Sequence, residues 1–137
     1  MTDERTAKLE YCGNFLEICH FSHSKADAEA GNPYNTTLHI RVKSGEFCGV
    51  GFCECDIKEF CRFVRELGEM YEFQRSCAVF DDICYGSKVT FESDRTGHLT
   101  VSGIVHGRGM IHSLKFEFTA DQTVLPGFIK SVNELLL

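Results

Sequence analysis

Apolar and polar positions alternate along most of the chain, and helical spacing replaces the alternation in two places. From Leu9 to His23 the pattern predicts two short strands around Gly13-Asn14. Phe15, Glu17, Cys19 and Phe21 fall on one face and Leu16, Ile18 and His20 on the other. Both faces are partly apolar, which places the segment inside a sheet. Ser24 to Asn35 has small polar residues, no period and an Asn32-Pro33 turn, and reads as a mobile surface loop. Leu38, Ile40 and Val42 alternate with His39, Arg41 and Lys43, the period of a half-buried strand. Ser44-Gly45 then turns it tightly into a strand from Glu46 to Cys55.

Helical spacing begins at Asp56 and runs to Tyr71. Asp56 can cap the free amides of the first turn, with Glu59 at the reciprocal position, and Ile57, Phe60, Cys61, Val64 and Leu67 form the predicted core stripe. Lys58, Arg62, Arg65, Glu66 and Glu69 lie largely off that stripe, as a solvated face. Strand patterns return over Ser76–Tyr85, Lys88–Glu92, His98–His106 and Met110–Phe118, joined by Asp94-Arg95-Thr96-Gly97 and by a Gly107-Arg108-Gly109 hairpin. In the last strand Met110, His112, Leu114, Phe116 and Phe118 share a face. A closing helix from about Asp121 to Leu137 carries Leu125, Phe128, Ile129, Val132, Leu135 and Leu136 on one side, with Pro126 in its first turn.

Adjacent hairpins imply antiparallel pairing. The prediction is a single α+β domain over residues 1–137, an antiparallel twisted sheet of six to eight strands with two helices packed on one face. The uncovered face, the sheet edges and the Ser24–Asn35 loop are left for binding.

Charge narrows the partners. Twenty acidic residues against 14 basic ones give a formal charge of −6, which disfavours nucleic acid and anionic membranes and favours a basic protein partner. Met1-Thr2-Asp3-Glu4-Arg5 lacks the apolar core of an export signal, so a cytoplasmic location is expected. In that compartment the eight cysteines read as free thiols and Asn35-Thr36-Thr37 as a chance glycosylation match.

The candidate chemistry is sparse, and neither catalysis nor a cofactor is expected. Cys53-Glu54-Cys55 would place two thiols on one face of a strand, but no second pair with metal-ligand spacing follows, so both read as small buried hydrophobes. His20 and His23, three apart on a strand, point to opposite faces, and His39, His98, His106 and His112 lie in separate strands. Asp81-Asp82 and the pair Glu92 and Asp94 read as solvated acids where strands end or turn. Gly45, Gly49 and Gly51 do not form a phosphate cradle. The two inside the Glu46–Cys55 strand mark a bulge or a close backbone approach.

Several segments together carry a family resemblance: Phe15-Leu16-Glu17-Ile18, Leu38-His39-Ile40-Arg41-Val42, the run from Val89 through Asp94-Arg95-Thr96-Gly97 to Gly103, and the run from Phe116 through Asp121-Gln122 to Pro126. The pattern resembles the WapI-like family of bacterial immunity proteins over about Leu9 to Leu137. The resemblance implies a non-catalytic cytoplasmic protein that binds and neutralises a cognate toxin domain. Asp81, Asp82, Glu92 and Asp94 are the expected rim contacts. Two other functions fit the pattern: a small-molecule or peptide binder, which predicts a concave apolar pocket, and a metal or thiol-redox protein built on Cys53 and Cys55.

Overall fold

The structure is a computed structural model that describes residues 5–137. Most of the stretch read for an export signal, residues 1–4, lies outside the described residues. Strands β1 (Ala7–Tyr11), β2 (Asn14–His23), β3 (Thr36–Ser44) and β4 (Phe47–Cys55) pair in that order as one antiparallel sheet. Strands β5 (Cys77–Asp81), β6 (Lys88–Ser93), β7 (His98–His106) and β8 (Ser113–Asp121) form a second. Among the described residues three α-helices accompany them: a short α1 (Lys25–Glu29) between β2 and β3, α2 (Ile57–Tyr71) between β4 and β5, and α3 (Leu125–Leu135) after β8.

The α+β class follows the sequence pattern, but the eight strands divide into two sheets of four. The division falls at α2. β4 pairs with β3 alone and β5 with β6 alone, so the chain leaves the first sheet, crosses as a helix and starts again. Two sheets let both inner faces and two helices enclose one core, where a single eight-stranded sheet would have to curl to do so. Leu16, Ile18, Leu38 and Ile40 come from the first sheet, Phe80, Phe91, Val101 and Phe118 from the second, Phe63 and Leu67 from α2, and Phe128 and Val132 from α3. Phe63 joins α2 to the second sheet and α3: its ring lies 5.8 Å from Phe80 and 5.7 Å from Phe91, and Phe91 stacks on Phe128 at 5.5 Å. Each such ring contributes about 1.5–3 kcal/mol through its burial.

The sheets meet where glycine replaces a side chain. A Cβ at Gly51 would lie 2.6 Å from Val105 Cβ, and one at Gly49 would lie 3.0 Å from Leu114 Cβ. The two glycines of β4 therefore serve a close approach: β7 and β8 lie across β4.

Local differences from the expected pattern have physical causes. In α2 the buried stripe is Phe60, Phe63, Val64, Leu67 and Met70, while Cys61 is exposed and Ile57 half-buried. Two aromatics at Phe60 and Phe63 rotate the stripe toward the second sheet. Glu66 is buried as well. Its carboxylate lies 2.9 Å from Arg62 Nη1 and 3.5 Å from Arg75 Nη2, and it accepts the Val79 amide at 3.2 Å, stitching α2 to β5. Asp56 caps α2 through the Lys58 amide, whose hydrogen bond holds the Asp56 carboxyl below the ordinary carboxylate range. Glu59 pairs with Arg62 instead of closing the box.

The Ser24–Asn35 segment is not a featureless loop. Ser24 caps α1, and Asn35, itself buried, accepts hydrogen bonds from the Ile57 amide at 2.8 Å and from Thr36 Oγ1. It anchors the segment to the start of α2, and its burial withdraws the sequon from solvent. The last strand starts at Ser113 and not at Met110. Residues 107–112 form a wider loop with a 3₁₀ turn over Arg108–Met110, closed by a hydrogen bond from Gly107 N–H to the His112 carbonyl. Met110 and Ile111 consequently leave the strand pattern and stand exposed. β1 is an edge strand, so only β2 of the first pair lies inside a sheet. Among the described residues no helix is long and apolar enough to cross a membrane.

Candidate functional site

Of the four acids expected on a rim, the structure separates one from the rest. Asp82 is only 8% exposed. Its carboxylate accepts the amides of Glu54 at 2.7 Å, Cys84 at 3.2 Å, Ser87 at 3.3 Å and also Tyr85, so it organises the turn after β5 and ties it to β4. The expectation that Asp82 is a solvated rim contact is therefore corrected: neighbouring N–H groups already occupy its oxygens. Asp81 and Glu92 are exposed, at the end of β5 and in β6. Asp94 is exposed too but turned inward on its own hairpin. It accepts the amides of His98 at 3.0 Å and Thr96 at 2.8 Å and the Thr96 hydroxyl at 2.8 Å, which together hold its carboxyl down at about 2. The four acids thus do not converge on one surface chemistry.

Cys53 and Cys55 belong to the core. Burial, reinforced by the Asp82 charge, pushes the Cys53 thiol far up and the Cys55 thiol up to about 12. Both stay protonated, neutral and packed, the state of a small hydrophobe.

Two surface features stand out that the strand pattern did not single out. The first is apolar and lies where the start of β4 faces the 107–112 loop. Phe47 is 69% exposed and Val50 is exposed on β4, and Ile111 is 83% exposed and Met110 is exposed in the loop. Between β4 and the loop runs a cleft of about 230 Å³, lined by Phe47, Cys48, Val50, Gly107, His112 and Leu114. Exposed side chains of this size on two elements that border one cleft are the signature of a protein-contact surface. The available sequence signal was the pair Met110-Ile111 directly after three residues of turn chemistry, too early to belong to the next strand.

The second feature is a ring cluster on the outer face of the first sheet. Cys19 and His39 face each other across β2 and β3. A bulge follows at once: pairing resumes at Ser22 opposite Thr37, so β2 spends one residue more than β3. His20 occupies that bulge with a left-handed φ of 51°. Its ring lies 4.6 Å from that of His39, which meets Phe52 edge-on at 4.4 Å, and the Arg108 guanidinium sits 5.0 Å over Phe52. The bulge also reverses the predicted faces: His20 swings out while Phe21 turns in to pack on Phe60 at 4.9 Å. The spacing Leu16, Ile18, Phe21 carried that signal, since three positions between inward residues mark an extra residue in a strand.

No protein family and no curated protein matches the chain. Among solved structures it is similar to the crystal structures of Trypanosoma brucei MRP1/MRP2, with a TM-score of 0.52. That match covers 99% of this chain and 84% of the other at 10% identity. At such identity the likeness shows the fold alone.

Proposed function

We propose that this chain is a non-catalytic binding protein that neutralises a cognate bacterial toxin domain, gripping it through the apolar end formed by Phe47, Val50, Met110 and Ile111. The observation that carries this reading is the exposure of Phe47 and Val50 at the lip of a shallow cleft, with Met110 and Ile111 exposed in the loop whose ends, Gly107 and His112, line it. An interface core of this composition suits a protein partner, because large apolar side chains leaving water supply most of the binding energy. The formal charge of −6 favours a basic partner and speeds its encounter. The resemblance to WapI-like immunity proteins supplies the partner class, and Asp81, Glu92 and Asp94 are the remaining exposed rim acids of the expected set.

The test is co-expression with the toxin-like domain encoded beside this gene, scored by growth and by co-elution on size exclusion. Rescue and a complex are expected. Ile111→Glu or Phe47→Glu should weaken the complex by about 100-fold, the loss of roughly 2.8 kcal/mol typical of a central contact, without changing thermal stability. Absence of both rescue and complex overturns the toxin reading. Full rescue by both charge variants removes the apolar end from it.

A further inference from the structure

We propose that Cys19, His20 and His39 form a zinc-binding site on the outer face of the first sheet, independent of the partner-binding reading. The thiol and imidazole donor atoms of these three residues all lie within 4.8 Å of one another. A tetrahedral zinc ion with Zn–S of about 2.3 Å and Zn–N of about 2.0–2.1 Å holds its donors roughly 3.3–3.6 Å apart. The remaining contraction of about an ångström is within the reach of side-chain torsions, with no movement of the strands.

Three features of the fold place the donors. The β2–β3 register sets Cys19 directly opposite His39 on one face. The extra residue of the bulge brings His20 round to that same face, which a regular strand would forbid because neighbouring side chains point oppositely. Phe52 then walls the His39 ring edge-on and limits its orientations, the role usually taken by groups just outside a metal's ligands. Cys19 is 4% exposed, half-buried His39 comes next, and His20 is exposed, so the cluster opens outward.

The donor set selects the ion. One thiolate and two imidazoles suit zinc and its borderline-soft neighbours, whereas magnesium and calcium require oxygen donors. Binding releases the thiol proton to solvent and forms the S–Zn bond, and the two imidazoles enter as neutral ligands. Three protein ligands leave a fourth tetrahedral position, on the outward side, for water.

The experiment titrates Co²⁺ into the reduced, chelator-treated full chain and follows absorption. Expected are a thiolate-to-cobalt charge-transfer band, intense visible bands of a four-coordinate ion, saturation at a single equivalent, and loss of all bands when Zn²⁺ is added. Cys19→Ser should abolish the charge-transfer band. His20→Ala, at an exposed position that leaves the core intact, should weaken Co²⁺ binding by about 100-fold or more, since even groups outside the ligand set cost 10–100-fold. Cys61→Ser, an exposed thiol elsewhere, should change nothing. A missing charge-transfer band, a band lost in Cys61→Ser but kept in Cys19→Ser, or unchanged affinity in His20→Ala overturns the site. Should Cys19→Ser fail to fold by circular dichroism, His20→Ala decides.

Discussion

Gly51 on β4 and Val105 on β7 lie so close that a Cβ on the glycine would stand 2.6 Å from the valine Cβ. Val105 is buried and β-branched, so it has little rotamer freedom with which to yield. Gly51→Ala should destabilise the domain by about 1–3 kcal/mol, the usual cost of overpacking. Chemical denaturation of Gly51→Ala, Val105→Ala and the double variant forms the check. The double variant should be more stable than the sum of the single losses. Strict additivity would mean that the sheets do not meet at this pair.

Asp82 predicts a second loss of stability. Its carboxylate serves the amides of Glu54, Cys84, Tyr85 and Ser87 in a buried turn. Asp82→Ala strands those donors and should cost about 3 kcal/mol, as hydrogen bonds to a charged group carry roughly 1.5–3 kcal/mol. Asp82→Asn keeps one acceptor oxygen and should lose less. Equal urea midpoints for the wild type and Asp82→Ala would contradict this role.

The Asp94 hairpin carries a pH dependence whose sign is fixed. Its folded carboxyl sits at about 2 against an ordinary 3.8, because the His98 and Thr96 donors favour the ionised form. The stability it adds is fully present above the ordinary value and is lost as pH falls through about 2. Asp94→Asn should therefore flatten the acid limb of the melting temperature against pH, and carboxyl-carbon NMR should place the Asp94 midpoint below that of the other aspartates. A midpoint at the ordinary value would refute the hydrogen-bond assignment.

Thiol labelling should divide the cysteines by depth. In the folded protein at mildly alkaline pH, iodoacetamide should modify Cys12, Cys48, Cys61 and Cys84, which are exposed, and leave Cys53 and Cys55 untouched. Burial keeps the latter two protonated and out of reach. Mass mapping after partial labelling reads the pattern directly. Modification of Cys53 at the rate of Cys61 would place β4 outside the core.

Much of this fold is legible in the chain because alternation reports which face of a strand is buried. Leu38, Ile40 and Val42 point inward as their spacing requires, and Asp56 caps α2. Alternation is silent on pairing across the core. Nothing in β4 or β5 announces that each leaves one edge unpaired, so the division into two sheets was hidden. The ring cluster was hidden for a related reason. Cys19, His20 and His39 meet through one inserted residue, and a bulge is a phase change in the pattern, visible only as the odd step from Ile18 to Phe21. Asp82 misled because an Asp beside a turn looks alike whether its oxygens face water or a ring of amides. The exposed end at Phe47 and Ile111 could not be assembled from sequence, since its halves lie over sixty residues apart.

Within each sheet every strand pairs only with its neighbour in the chain. The order of assembly follows from that connectivity. Each meander can zip strand by strand across connections of two to twelve residues, whereas the approaches of Gly51 to Val105 and of Gly49 to Leu114 require distant segments to find each other. The sheets should therefore gain structure early and the seam between them last. Mutations along the seam should mainly accelerate unfolding, and mutations inside a meander should slow folding.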